Sequence, residues 1–130
     1  MPAKKNELGK ADILRHKKAI SYLFQDKAAL KLQSFPLKCI VVENTILRQE
    51  PLQVLFIVPS RVIRKAHDRN LIRRRIKEAY RVRKEEIKIL LGLQNQNNVG
   101  LLYTSNEVLS FEQIEKSLNK IIHDLAQKIK

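Results

Sequence analysis

Apolar residues along this chain follow two periods, and each predicts a different kind of element. LKCIVVEN (residues 37–44), apolar at five of eight positions, and LQVLFIVP (52–59), apolar at nearly every one, read as strands. Only a short turn separates them, so they are expected to pair as an antiparallel hairpin. VGLLYT (99–104) is a further short strand, and Ser34-Phe35-Pro36 reads as a strand edge or a break, because proline sits only at edges or strand starts. Elsewhere the period is helical. Ile13, Ile20, Leu23 and Phe24 share one side of residues 12–25, with Asp12 placed to cap them. Ile72, Ile76, Ala79, Tyr80, Ile87 and Leu90 line one face, about 100° wide, of a single long helix over 66–91, which Gly92 stops. A polar linker, LQNQNN, follows. Ser110 and Gln113 form a capping box for a last helix, whose Ile114, Leu118, Ile121, Ile122, Leu125 and Ile129 repeat at helical spacing. The order is α-β-β-β-α-β-α, an α+β sandwich. Residues 1–130 make one domain, with 1–10 as a flexible basic tail.

Charge changes this picture most. The chain carries 26 Lys+Arg against 13 Asp+Glu, a net charge of +13. Residues 61–88 hold twelve basic and four acidic groups, and residues 1–38 hold nine and three, whereas 39–60 and 89–130 are close to neutral. Solubility alone gives no reason for such segregation. On the long helix, Arg73, Lys77, Arg81, Lys84 and Lys88 fall beside the apolar face as a basic stripe, with Arg74 at its margin. Arginine forks hold two phosphate oxygens at once, and Arg69 and Asn70 lie in the first turn, where free N–H groups favour anions. These features point to nucleic acid, read through backbone, shape and charge. With no Trp, three Tyr and four Phe, a base-stacking sheet is not indicated. A solvated helix face and an amphipathic membrane or calmodulin-type contact are the competing readings. The membrane is disfavoured, since the core needs the apolar face.

The remaining chemistry is sparse. Cys39 is the single cysteine, which excludes an internal disulfide and a cysteine-based zinc site. His16, His67 and His123 are isolated from paired carboxylates, and Asp68 reads as part of a helix cap rather than an acid or base. No apolar run reaches the ~18 residues of a membrane span, and MPAKKNELGK has no signal-peptide core, so a cytoplasmic protein is expected.

RNLIRRRIKEAYR resembles the basic helix of the bacterial ribonuclease P protein component. That family's pattern runs Arg-Asn-Arg, an apolar residue, Lys/Arg-Arg, two spacers, then Arg/Lys-Glu, a small residue, an aromatic and often Arg. Arg69, Asn70, Ile72, Arg73, Arg74, Lys77, Glu78, Ala79, Tyr80 and Arg81 match it. Leu71 stands where the family has its second Arg, and neighbouring Arg73 and Arg75 are placed to compensate. Arg64 occupies a loop position where relatives often have Gly. LRHKKAISYLF is similar to the family's first helix, whose paired aromatics fall here at Ile20 and Phe24. LQVLFIVPSR is similar to the strand before the basic loop, and NVGLLYTSNEVLSFEQIEKSL to the last strand and helix.

The resemblance implies a ribosomal protein S5 domain 2-like fold with a left-handed βαβ crossover. It implies the protein subunit of a ribonucleoprotein endoribonuclease that removes the 5′ leader of precursor tRNA. Catalysis is then expected from the RNA and its bound Mg²⁺, with no catalytic residues and no bound metal in the protein. Contacts to the RNA subunit are expected from Arg61, Arg64, Lys65, Arg69, Asn70, Arg73, Arg74, Lys77 and Arg81. The leader cleft is expected from Ile20, Phe24, Lys38 and Ile40. Partners would be ribonuclease P RNA and precursor tRNA, with the protein monomeric within the particle. A structural binder of ribosomal RNA, as ribosomal or assembly protein, is the alternative.

Overall fold

The computed structural model describes residues 30–43, 52–91 and 97–129. The expected tail, the helix over 12–25 with Ile20 and Phe24, and the Gly92 stop lie outside the described residues. Among the described residues the order is β1 (Leu30–Ser34), β2 (Leu37–Glu43), β3 (Leu52–Ile57), α1 (Ala66–Arg81), α2 (Lys84–Leu91), β4 (Asn97–Tyr103) and α3 (Phe111–Ile129).

The four strands form one sheet in the order β1-β2-β4-β3. β1 joins β2 through the two-residue Phe35–Pro36 turn, whose peptide is cis. β2 therefore pairs antiparallel with β1 and with β4, and β3 pairs parallel with β4. The expected β2–β3 hairpin does not form. Both strands are apolar on both faces, so their pattern did not reveal that β4 is inserted between them. A parallel β3–β4 pair needs a long crossover, and α1 with α2 supply it.

Period two divides the sheet residues between its faces. Leu32, Leu37, Cys39, Val41, Val54, Phe56, Val99, Leu101 and Tyr103 join one core with the buried sides of all three helices. From α1 this core takes Ile72, Ile76, Ala79 and Tyr80, each at most 1% exposed. At roughly 1.5–3 kcal/mol for each large apolar side chain, that stripe holds the helix rigidly on the sheet. Edge-to-face packing of Phe56 against Tyr80, with centroids 5.6 Å apart, adds to it. Lys38, Ile40 and Val42 alternate to the opposite face of the sheet, where Ile40 and Val42 are also buried.

The single long helix expected over 66–91 is two helices, broken at Val82–Arg83. No glycine or proline marks the break. Instead the Arg83 N–H donates to Tyr80 O at 2.9 Å, while the Arg83 guanidinium caps Ala79 O at 3.2 Å. The same guanidinium reaches Glu115 (3.2 Å) and Asn119 on α3. The break thus lets one side chain replace a lost helical bond and fasten the turn to α3. At the other end of the core the capping box forms as expected. The Gln113 N–H donates to Ser110 Oγ at 3.2 Å, and the Ser110 N–H to Gln113 Oε1 at 3.0 Å.

Candidate nucleic-acid interface

The outer face of α1 and the loop before it carry the basic residues that the sequence singled out. Val58 and Ile63 anchor that loop in the core, and the Val62 and Ile63 N–H groups both donate to Pro59 O, at 3.2 and 3.1 Å. Arg61, Arg64 and Lys65 are left exposed. With Asp68, Asn106 and Val108 they line an open concavity of about 400 Å³. The β4–α3 loop thus forms its second wall, which sequence spacing did not reveal: Asn106 lies 36 positions beyond Asn70 and carries no charge.

The basic residues of this region do not all face outward. Arg69 is half-buried, and its Nη1 donates to Ile63 O (3.0 Å) and Arg64 O (2.7 Å), so this nitrogen shapes the loop. Arg75 turns the other way and donates to Leu109 O at 2.6 Å. It is therefore committed to the β4–α3 loop and does not stand in for the arginine missing at Leu71. Arg83 is tied to α3, as described. Lys84, expected on the stripe, is only 6% exposed, because the break at Val82–Arg83 changes the direction in which α2 presents its residues.

What remains is a compact exposed set. Asn70, Arg74 and Lys77 are exposed and Arg73 is half-buried, at positions one helical turn apart on α1. Arg73 Nη1 donates to Asn70 Oδ1 at 2.8 Å, which turns the Asn70 amide into a donor toward solvent. Lys77 lies with its Nζ 5.9 Å from the Phe56 ring centroid, so its stem covers the edge of the core while its charge stays outside. Arg81 forms a fork-to-fork pair with Glu78 at 2.7 and 3.0 Å. The hydrogen bonds from Arg81 hold the Glu78 carboxyl below the usual carboxylate range and raise the Arg81 guanidinium correspondingly. In the free protein Arg81 is thus half of an exposed neutral pair, which a polyanion must displace before Arg81 contributes its full charge.

Other expected positions separate from this set. Lys38 is half-buried and Ile40 buried on the sheet face away from the three helices, in register with Leu102 and Gly100. His67 is exposed, and Asp68 is not the cap. Lys65 holds the N-cap position without a side-chain bond, and Asp68 sits in the first turn, where a carboxylate interacts with the helix dipole.

No curated protein matches this chain. Among solved structures, the ribonuclease P protein of Staphylococcus aureus matches with a TM-score of 0.68 at 16% identity, covering 88% of this chain and 95% of that one. The ribonuclease P protein from Thermotoga maritima matches with a TM-score of 0.62 at 17% identity, covering 85% and 96%. At such identities these likenesses establish the fold. The family profile for Ribonuclease P matches residues 8–126, nearly the whole chain, and that match together with the fold and the basic helix it carries assigns this chain to the ribonuclease P protein family.

Proposed function

We propose that Arg61, Arg64, Lys65, Asn70, Arg73, Arg74 and Lys77 form the contact with ribonuclease P RNA. The observation that carries this is the sorting of charges described above. On α1 and the loop before it, these groups keep donors directed to solvent, while the other side of the helix is locked in the core. Arg69 and Arg81 belong to the same surface but act at one remove, Arg69 by shaping the loop and Arg81 through its pair with Glu78. Family membership makes the protein a subunit of an endoribonuclease particle that processes tRNA. In the finer reading the RNA and its bound Mg²⁺ cleave the 5′ leader, and the protein raises affinity for precursor tRNA. In this reading the RNA holds the Mg²⁺ through its oxygen ligands. Lys38 and Ile40, on the opposite sheet face, would receive the leader together with Ile20 and Phe24. The protein acts as a cytoplasmic monomer in the particle.

A structural ribosomal RNA binder would use the same surface, and family membership speaks against it. Reconstitution tests the proposal. Protein, ribonuclease P RNA and precursor tRNA are combined at low magnesium, with each component omitted in turn. Cleavage is expected to need the RNA and to be stimulated by the protein. Cleavage by protein alone, or no stimulation, would remove it. Arg74→Ala/Lys77→Ala should weaken binding to ribonuclease P RNA while leaving the circular dichroism spectrum unchanged.

A further inference from the structure

Three connections leave the sheet at the same end. Ser34 pairs with Leu37, Leu37 with Tyr103, and Ile57 with Leu102. The Phe35–Pro36 turn, the β4–α3 loop and the β3–α1 loop therefore follow one another across this end. Strands spaced about 4.8 Å apart put the two outer connections roughly 14 Å from each other. Val108 closes the basic concavity of Arg61, Arg64 and Lys65. The next residue, Leu109, lines a second groove of about 480 Å³ with Phe35, Pro36, Lys116, Ser117 and Lys120.

This groove has the parts of a nucleotide subsite. Phe35 is 67% exposed, so its ring adds little to the core. Yet the turn that carries it is braced from both sides. Pro36 O accepts from Thr104 N–H at 2.8 Å and from Thr104 Oγ1 at 3.1 Å, and the Ser117 hydroxyl donates to Ser34 O. An aromatic ring held bare on a braced turn is a preformed stacking platform. Lys116 and Lys120 stand one turn apart on α3 beside it. Among the described residues Lys116 has no carboxylate partner. Lys120 pairs with Asp124 at 3.3 Å, an exposed pair of the kind that exchanges readily for another anion. Among the described residues none that is acidic lines the groove.

We infer that the groove between the Phe35–Pro36 turn and α3 is a subsite for single-stranded RNA. A base stacks on Phe35, and phosphates are held by Lys116 and Lys120. The Val108–Leu109 ridge joins this groove to the basic concavity, so one strand can cross the end of the sheet from one to the other. The inference rests on the RNA-binding reading above but concerns a separate surface. A polyanion is favoured over a peptide or a second copy because both cations line the same groove as the aromatic ring and the chain carries +13 overall.

Fluorescence anisotropy of the full chain tests it, with a labelled single-stranded RNA of about twelve nucleotides lacking self-complementarity as probe. Phe35→Ala is expected to weaken binding about ten-fold, and Phe35→Trp to restore it. Lys116→Ala/Lys120→Ala should weaken binding and flatten its salt dependence. All three positions are exposed, and circular dichroism checks that each variant folds. Unchanged affinity in Phe35→Ala overturns the inference. It is equally overturned if Phe35→Ala abolishes self-association in sedimentation while RNA affinity holds, which would make the groove a protein interface. Arg74→Ala/Lys77→Ala, assayed on ribonuclease P RNA, reports on the proposed interface independently, so either reading can fail without the other.

Discussion

Arg74 and Arg75 are neighbours in sequence with the same side chain, and the fold gives them opposite tasks. Arg74 is exposed on the outer face of α1, whereas Arg75 donates to Leu109 O at 2.6 Å. Arg74→Ala should leave the melting temperature unchanged, weaken binding to ribonuclease P RNA, and lower the slope of log K against log salt by roughly one. Arg75→Ala should cost about 1–2 kcal/mol of stability, because it leaves a half-buried carbonyl without its donor. For a chain of this size that is a drop of roughly 4–8 °C, measurable by calorimetry. A fall in melting temperature for Arg74→Ala would show its role to be structural. Cys39 gives a second residue-level expectation. Burial pushes its thiol up to about 12, whereas an unburied thiol ionises near about 8.5. The unfolded chain therefore gives up this proton first as pH rises, so the contribution of Cys39 to stability declines between those two values and is constant below them. At pH 8 an Ellman-type reagent should react with the native protein only as fast as it opens, and rapidly in denaturant. Fast reaction of the folded protein would contradict the burial.

Among the elements, the helices were the most legible in the sequence, since a wide apolar face needs only local spacing to be seen. The capping box of α3 was readable for the same reason, as both partners lie within one turn. Ser110→Ala should cost about 1 kcal/mol, by removing the acceptor of the Gln113 N–H and the hydroxyl donor to Gln113 Oε1. Chemical denaturation measures this as a lower midpoint at unchanged m-value. The break between α1 and α2 was not legible. It depends on Arg83 bonding to Glu115 and Asn119, residues more than thirty positions away that only the fold brings close. A straight helix through residue 82 would put Lys84 on the basic stripe, whereas the break leaves it buried. Strand pairing failed for a related reason. An all-apolar strand shows that both its faces are covered but not which strand lies beside it, and β4 follows β3 only after the helical crossover.

At the scale of the whole molecule, the sheet is a rigid base, and the loops that line the basic concavity leave it at one end. β4 is bonded on both sides, to β2 and β3, and Cys39, Val41, Val99 and Leu101 lie in the core. Their amides should be among the slowest to exchange, since opening them requires the sheet itself to come apart. The loop over 58–65, the first turn of α1 and the β4–α3 loop have far fewer buried contacts, and they should exchange faster in the free protein. Hydrogen–deuterium exchange with and without ribonuclease P RNA then makes a spatial prediction. RNA should slow exchange over 58–70 and over 104–109, the two walls of the basic concavity, and leave 125–128 at the far end of α3 unchanged. The two walls are some forty residues apart in sequence, so joint protection reports their adjacency and not a property of the basic motif alone. Protection of 58–70 without 104–109 would confine the contact to the motif and remove Asn106 and Val108 from the surface. Protection centred on 125–128 would move the interface to the opposite end of α3, which the charge distribution does not support.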